Sequence, residues 1–145
     1  MTQTEIALKL FNDGYNCSQS VLGAFCELFG MDQKTALTLA SGFGGGVGGA
    51  GDMCGALTGA IMVLGLKYGS ADSRDKTAKN EMYRKTRDLS EEYKLRTGSM
   101  YCRDLLGFDL STQEGQLAAK EPNAFHDCPQ FVRVAVEILE EMLSL

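Results

Sequence analysis

The chain has 145 residues, 44% hydrophobic and 23% charged, with a net charge of −5, a pI of about 4.9, five cysteines, one histidine and no tryptophan. Such a length and composition describe one globular domain over residues 1–145 with a real core, and exclude a disordered chain. The acidic balance speaks against nucleic acid, whose binders carry a basic excess, and against an anionic membrane surface.

Almost every segment shows helical periodicity, and none alternates apolar and polar residues as a half-buried strand would. An all-α fold, a single-domain helical bundle, is therefore expected. The first helix is predicted over about Thr4–Asn12, with Thr2 and Glu5 as a capping box and Gly14 as its stop. The second covers about Cys17–Phe29. Asn16 caps it, Gln19 reaches back, Gly30 ends it, and Val21, Leu22, Phe25, Leu28 and Phe29 form its buried face. A third follows cap Asp32 over about Gln33–Ser41.

Between Gly42 and Gly51, seven of ten residues are glycine. Asp52 then reads as the cap of a fourth helix, Met53–Tyr68, closed by Gly69. It is apolar on nearly all sides, so it is expected to run through the centre of the core. Gly55, Ala56, Gly59 and Ala60 leave room for close helix approach. The stretch Met53–Leu66 is interrupted by small and polar residues and falls short of the roughly 18 needed to span a membrane.

A long helix over about Ser73–Thr97 carries 8 of the 14 Lys and Arg, mixed with acids, above a narrow stripe of Ala78, Met82, Leu89 and Tyr93. It reads as a solvated helix lying on the core rather than a polyanion site. Two shorter helices are expected, about Met100–Leu106 capped by Ser99 and about Thr112–Lys120 with Ser111 and Glu114 as a capping box. The last, Cys128–Leu143, starts at Asp127 and Pro129. Its apolar side suggests burial against a second copy, a homodimer.

The cysteines fall into a pattern on these helices. Cys17, Cys54, Cys102 and Cys128 each lie in the first turn of a predicted helix. Free N–H groups and the positive end of the helix dipole stabilise a thiolate there, and thiolate is both nucleophile and metal ligand. Cys26, in mid-helix beside Leu22 and Phe29, reads as a small buried hydrophobe. No pair forms a C-x-x-C motif, so a metal site would need four helix starts to converge in space.

His126, two residues before Cys128, is a candidate metal ligand or thiol base, and equally a surface or capping residue. With no second histidine, a multi-His site is excluded. Gly46–Gly51 matches G-x-G-x-x-G in form, but it follows a helix instead of a strand and no Lys-Ser/Thr comes after it. Two readings of the loop stand, one in which it wraps over Cys54 and offers it N–H groups and one in which it only turns the chain sharply between two buried helices, with Gly51 and Gly55 as the candidate cofactor-contacting glycines.

Four stretches together carry a resemblance: GYNCSQSVL at 14–22, GFGGGVGGAGDMCGALTGAIMVLGLKYG at 42–69, GSMYCRDLLG around Cys102 and HDCPQFV around Cys128. They resemble the C_GCAxxG_C_C family, described as redox-active and without an established reaction, and the likeness covers nearly the whole chain. Its central motif stands here as Cys54-Gly55-Ala56-Leu57-Thr58-Gly59, and its four cysteines correspond to Cys17, Cys54, Cys102 and Cys128. Cys26 lies outside the pattern. Where many relatives have a basic residue in the glycine loop, this chain has Val47-Gly48-Gly49-Ala50, which puts any role of that charge in doubt.

The leading expectation is a redox protein that works by reversible thiol and disulfide chemistry with an unidentified redox partner. The expected roles are Cys54 as attacking thiolate, Cys17 as its resolving partner, and Cys102 with Cys128 as the other pair, although four cysteines allow three connectivities. A second reading makes the four cysteines, with or without His126, ligands of a metal ion or iron–sulfur cluster. A related domain occurs in split-Soret cytochromes, but C-x-x-C-H is missing here and attached haem is not expected. A third reading is a scaffold for a membrane transporter, because family members are often encoded near transporter genes. The N-terminal stretch lacks a basic start, a long apolar region and a small-residue cleavage site, so the cytosol is the expected location.

Overall fold

The computed structural model describes residues 1–145 as eight α-helices with no strand. The helices are α1 (Gln3–Asn12), α2 (Cys17–Phe25), α3 (Gln33–Leu39), α4 (Gly55–Tyr68), α5 (Lys76–Thr97), α6 (Cys102–Leu106), α7 (Gln113–Ala118) and α8 (Cys128–Leu143). Two 3₁₀ turns, Cys26–Phe29 and Ser41–Phe43, continue α2 and follow α3. No helix is long and apolar enough to cross a membrane.

Local chemistry explains most of the starts and stops. Thr2 and Glu5 form the capping box of α1, as Asn16 and Gln19 do for α2, each pair satisfying two otherwise unpaired N–H groups. Asp32 and Asp75 cap α3 and α5 through Thr35 and Ala78, and Gly98 ends α5 with a left-handed φ of 100°. The second helix tightens into 3₁₀ geometry at Cys26, and this turns Leu28 out to 52% exposure instead of into the core.

Three caps differ from the sequence reading. Asp52 does not cap α4; it pairs with Arg103 at 3.3 Å, and the helix starts after Cys54 with no side-chain cap. Ser99 stands outside α6, bonded to the Tyr101 N–H and to Asp104, while Tyr101 is the residue that opens the helix. Thr112 caps α7 through Gly115, and Ser111 bonds Asp109 instead. In each case a tertiary contact or a one-residue shift offered the side chain another partner.

One apolar cluster of 23 buried residues runs through the bundle. The fourth helix lies within it, packed on α2, α5 and α8, and Ala56, Leu57, Ala60, Val63 and Leu64 are fully buried. Its closest neighbour is α2. A Cβ on Gly59 would stand 2.7 Å from the Ser18 carbonyl oxygen, and one on Gly55 3.0 Å from the Ser18 nitrogen. At the same contact the Thr58 and Ser18 hydroxyls meet at 3.2 Å.

The charged fifth helix lies on the surface of this core. Leu89 and Tyr93 are buried beneath it, and Arg96 ties it to α8 through Glu141 at 2.7 Å. The apolar face of α8 is buried against α1, α2, α4 and α5 of the same chain, which removes the reason to expect it against a second copy.

The glycine segment is a compact coil. Residues 45–49 all hold φ between 61° and 75°, and the N–H groups of Gly48, Gly51 and Asp52 reach back to the carbonyls of Gly42, Gly45 and Gly46. A run of left-handed backbone costs each L-residue, and Val47, β-branched, with φ 67° and largely exposed, is the member that carries strain.

Two substitutions of opposite sign follow from this packing. Val47→Gly is expected to stabilise the chain by about 1 kcal/mol, because release of left-handed strain exceeds the added entropy of glycine. Gly59→Ala, although favoured by helix propensity, is expected to destabilise it by about 1–3 kcal/mol through the clash with the Ser18 carbonyl. Chemical denaturation of the reduced protein measures both.

Candidate functional site

Three of the four family cysteines are the first residue of a helix: Cys17 in α2, Cys102 in α6 and Cys128 in α8. Cys54 is the N-cap residue of α4, so its sulfur stands at the start of that helix, with no side-chain cap hydrogen bond. The sequence pattern therefore holds more tightly in the structure than in the predicted boundaries.

Four local devices bring these helix starts together. The Asn16–Gln19 box fixes the start of α2, and the Gln19 amide donates to the Leu37 carbonyl at 2.9 Å. The α2–α4 notch sets Cys17 beside Gly55, where a Cβ would lie 3.2 Å from that of Cys17. Residues 51–54 then run antiparallel to residues 100–103. The Cys102 N–H donates to the Asp52 carbonyl at 2.7 Å and the Cys54 N–H to Met100 at 2.8 Å, around a single bridge between Met53 and Tyr101. The glycine coil folds over this clamp. At Gly46 a Cβ would meet that of Cys102 at 2.7 Å and the Asp52 nitrogen at 2.6 Å, so only glycine fits.

The result is a cavity of about 370 Å³ lined by all four cysteines. Gly45, Gly46 and Gly55 border it, and its walls are mainly aromatic and leucine side chains, among them Phe11, Leu105 and Phe131. Gly51 lies outside, held by Arg103 and packed on Asp109, so of the two glycines named from the sequence only Gly55 reaches the cavity. His126 is also outside. Its ring is exposed, bonded to the Asn123 carbonyl at 2.8 Å and paired with Asp127 at 3.1 Å. Cys26 is buried with its sulfur against the Gly23 carbonyl, remote from the cavity lining.

The sulfurs differ in their partners. Cys17 and Cys128 both line the cavity, and the electrostatics of their two thiols are coupled, the thiol of Cys17 favouring the anion of Cys128. This holds Cys128 below the ordinary thiol range, while the same coupling, with burial, raises Cys17 well above it. Burial raises Cys54 despite the Tyr93 hydroxyl beside its sulfur, and raises Cys102 to about 12. The hydrogen-bond partner of the Cys54 sulfur is the Tyr93 hydroxyl at 3.2 Å.

Tyr93 is the residue that sequence reasoning missed. Burial and the neighbouring sulfur hold its phenol well above the ordinary range, so it stays protonated and shares a hydrogen bond with the Cys54 thiol. A signal was present, since a tyrosine on the buried stripe of a helix needs a partner for its hydroxyl.

All five cysteines are unbridged. The four sulfurs share one cavity, but no three His, Cys, Asp or Glu side chains are gathered to hold a single ion. The arrangement as it stands does not fit a metal or iron–sulfur centre, which needs its ligands at bonding distance around one point.

Fold and site thus define an all-helical protein with a thiol-lined apolar cavity. Residues 15–142 match the family model described as "Putative redox-active protein (C_GCAxxG_C_C)". The chain belongs to the C_GCAxxG_C_C family. No curated protein and no solved structure gave a match.

The thiol environment has a consequence for stability. Cys17, Cys26, Cys54 and Cys102 are raised in the folded chain, so between the unfolded thiol value of about 8.5 and their folded values the folded state binds more protons. Their contribution is complete below that window and is lost as pH rises through it, which for Cys102 extends to about 12. Cys128 acts in the opposite sense, and four thiols outnumber one. The melting temperature of the reduced protein is expected to fall as pH rises above about 9, with a shallower fall in Cys102→Ala. Calorimetry under nitrogen at a series of pH values checks both.

Proposed function

We propose that the protein is a thiol–disulfide redox protein in which Cys128 is the attacking thiolate and Cys17 the resolving thiol. The observation that carries this reading is that Cys17 and Cys128, each the first residue of its helix, line the same cavity. Thiolate is the reactive form, and of the five cysteines Cys128 alone is held below its ordinary range. The neighbouring thiol then has a sulfur to attack within reach.

In oxidation the Cys128 thiolate attacks an electrophilic acceptor and forms a covalent adduct. Cys17 attacks the Cys128 sulfur, the S–S bond forms, and the adduct leaves with the electron pair. Two thiols lose two electrons and two protons, which pass to the acceptor. Cys54, held by Tyr93, and Cys102 stay protonated nearby and are a reserve for passing the disulfide onward. This assigns the attacking role to Cys128, where the sequence alone pointed to Cys54, because burial keeps Cys54 protonated.

Purification under nitrogen followed by limited oxidation tests the reading. Peptide mapping is expected to find a Cys17–Cys128 disulfide as the first product, and either Cys17→Ser or Cys128→Ser is expected to abolish it. The alkylation rate of Cys128 is expected to exceed those of the other four cysteines at neutral pH. Stoichiometric iron or zinc in the purified protein, or cysteines that resist oxidation altogether, would overturn the proposal.

A further inference from the structure

The cavity is selective in a way that thiol chemistry by itself does not require. None of its lining residues is Lys, Arg, His, Asp or Glu. Its walls are Phe11, Phe125, Phe131, Leu105, Leu106 and Leu110. Tyr15 and Phe125 are the large apolar lining residues with most exposure, 38% and 40%, which puts them at the mouth. Phe108 supports Phe125 edge-on, with ring centroids 6.1 Å apart.

Asn16 also lines the cavity, but its amide is bonded to the Ser41 carbonyl and the Gln19 N–H, and a second polar feature has no such partners. The glycine coil lines the cavity at Gly45 and Gly46, and neither N–H donates to any acceptor in the chain. Gly46 is buried, so its N–H has lost bulk water without gaining a partner. Both the adjoining carbonyls are occupied, that of Gly45 by Gly51 and that of Gly46 by Asp52. The coil is therefore internally closed on its acceptor side and open on its donor side, next to Cys102. Unpaired donors at the wall of a mainly apolar pocket, one of them buried, are matched by an acceptor oxygen on a ligand.

We propose that the cavity binds a small uncharged quinone and that the Cys17–Cys128 thiol pair reduces it to the hydroquinone. This inference rests on the thiol–disulfide reading above and names its acceptor. The aromatic walls suit a flat apolar ring. The free amides suit a carbonyl oxygen on which negative charge develops. A quinone takes up two electrons and two protons, the quantity that a dithiol releases. A charged disulfide or nucleotide would lose its hydration in this cavity without meeting a counter-charge.

The step balances within these groups. The Cys128 thiolate adds to a ring carbon of the quinone, forming an S–C bond, and the displaced electron pair settles on oxygen facing the Gly45 and Gly46 amides. Cys17 attacks the Cys128 sulfur. The S–S bond forms, the S–C bond breaks, and its electron pair returns to the ring. The proton of Cys17 and one released earlier by Cys128 complete the hydroquinone.

The test uses the reduced wild-type chain under nitrogen. Tetramethyl-para-benzoquinone, whose ring positions are all blocked against permanent arylation, is followed by its absorbance alongside peptide mapping of disulfides. We expect one equivalent consumed per chain with a Cys17–Cys128 disulfide, and a sulfonated quinone of similar potential to react about tenfold more slowly because of its desolvation cost. Equal rates for the two quinones would overturn the proposal, as would faster consumption of an uncharged aromatic hydroperoxide. Diamide, a small uncharged oxidant, separates the two levels. If diamide forms the disulfide and the neutral quinone does not, the quinone assignment falls and the thiol reading stands. If neither oxidant forms it, the thiol reading falls as well.

Discussion

The whole site depends on how closely α4 approaches α2. The two backbones can touch only because positions 55 and 59 lack a Cβ. Any larger residue at 59 would meet the Ser18 carbonyl, and any at 55 would meet the Ser18 nitrogen. This contact sets Cys17 and Cys54 at one level at the ends of two helices. The segment leading into α4 then pairs with the segment leading into α6, which delivers Cys102, and α8 packs across α2 and α4 to bring in Cys128. A shift in the α2–α4 distance would therefore propagate to every sulfur in the cavity.

Four thiols at helix starts do not become four thiolates. A helix N-terminus favours an anion by typically 0.3–1 kcal/mol, up to about 2 in partly buried sites, whereas burial can shift a pKa by about 3–5 units, several times more. Burial prevails at Cys54 and Cys102, which stay protonated although their helix ends face them. Only Cys128 moves downward, and the cause is the thiol of Cys17, which favours its anion. The chemistry of the cavity is thus set by burial and by the groups near each sulfur, more than by where each sits on its helix.

The glycine coil has two jobs that the same residue type makes compatible. Its left-handed backbone packs against Cys102 and Asp52 where no side chain fits. It also leaves N–H groups unpaired at an apolar wall. Its formal nucleotide-binding pattern does neither of these things through a helix dipole. Gly51 closes the coil with a hydrogen bond to Gly45, the Cys54 N–H is taken by Met100, and α4 starts only at Gly55.

The all-helical class, the buried fourth helix, the capping boxes of α1 and α2 and the placement of cysteines at helix starts were legible in the sequence. Each rests on periodicity or on a contact three or four residues away, and local chemistry decides those. The shifted caps at Asp52, Ser99 and Ser111 were not legible, because distant residues or a neighbouring hydroxyl competed for the same groups. The partner of each sulfur was not legible either. Cys17 and Cys128 share the cavity although most of the chain separates them, and Cys54 meets Tyr93 across 39 positions. Spacing carries no information about such contacts. The sequence determined which residues could be thiolates at helix ends; only the tertiary packing decided which one is, since desolvation and the choice of hydrogen-bond partner exist only once the helices have met.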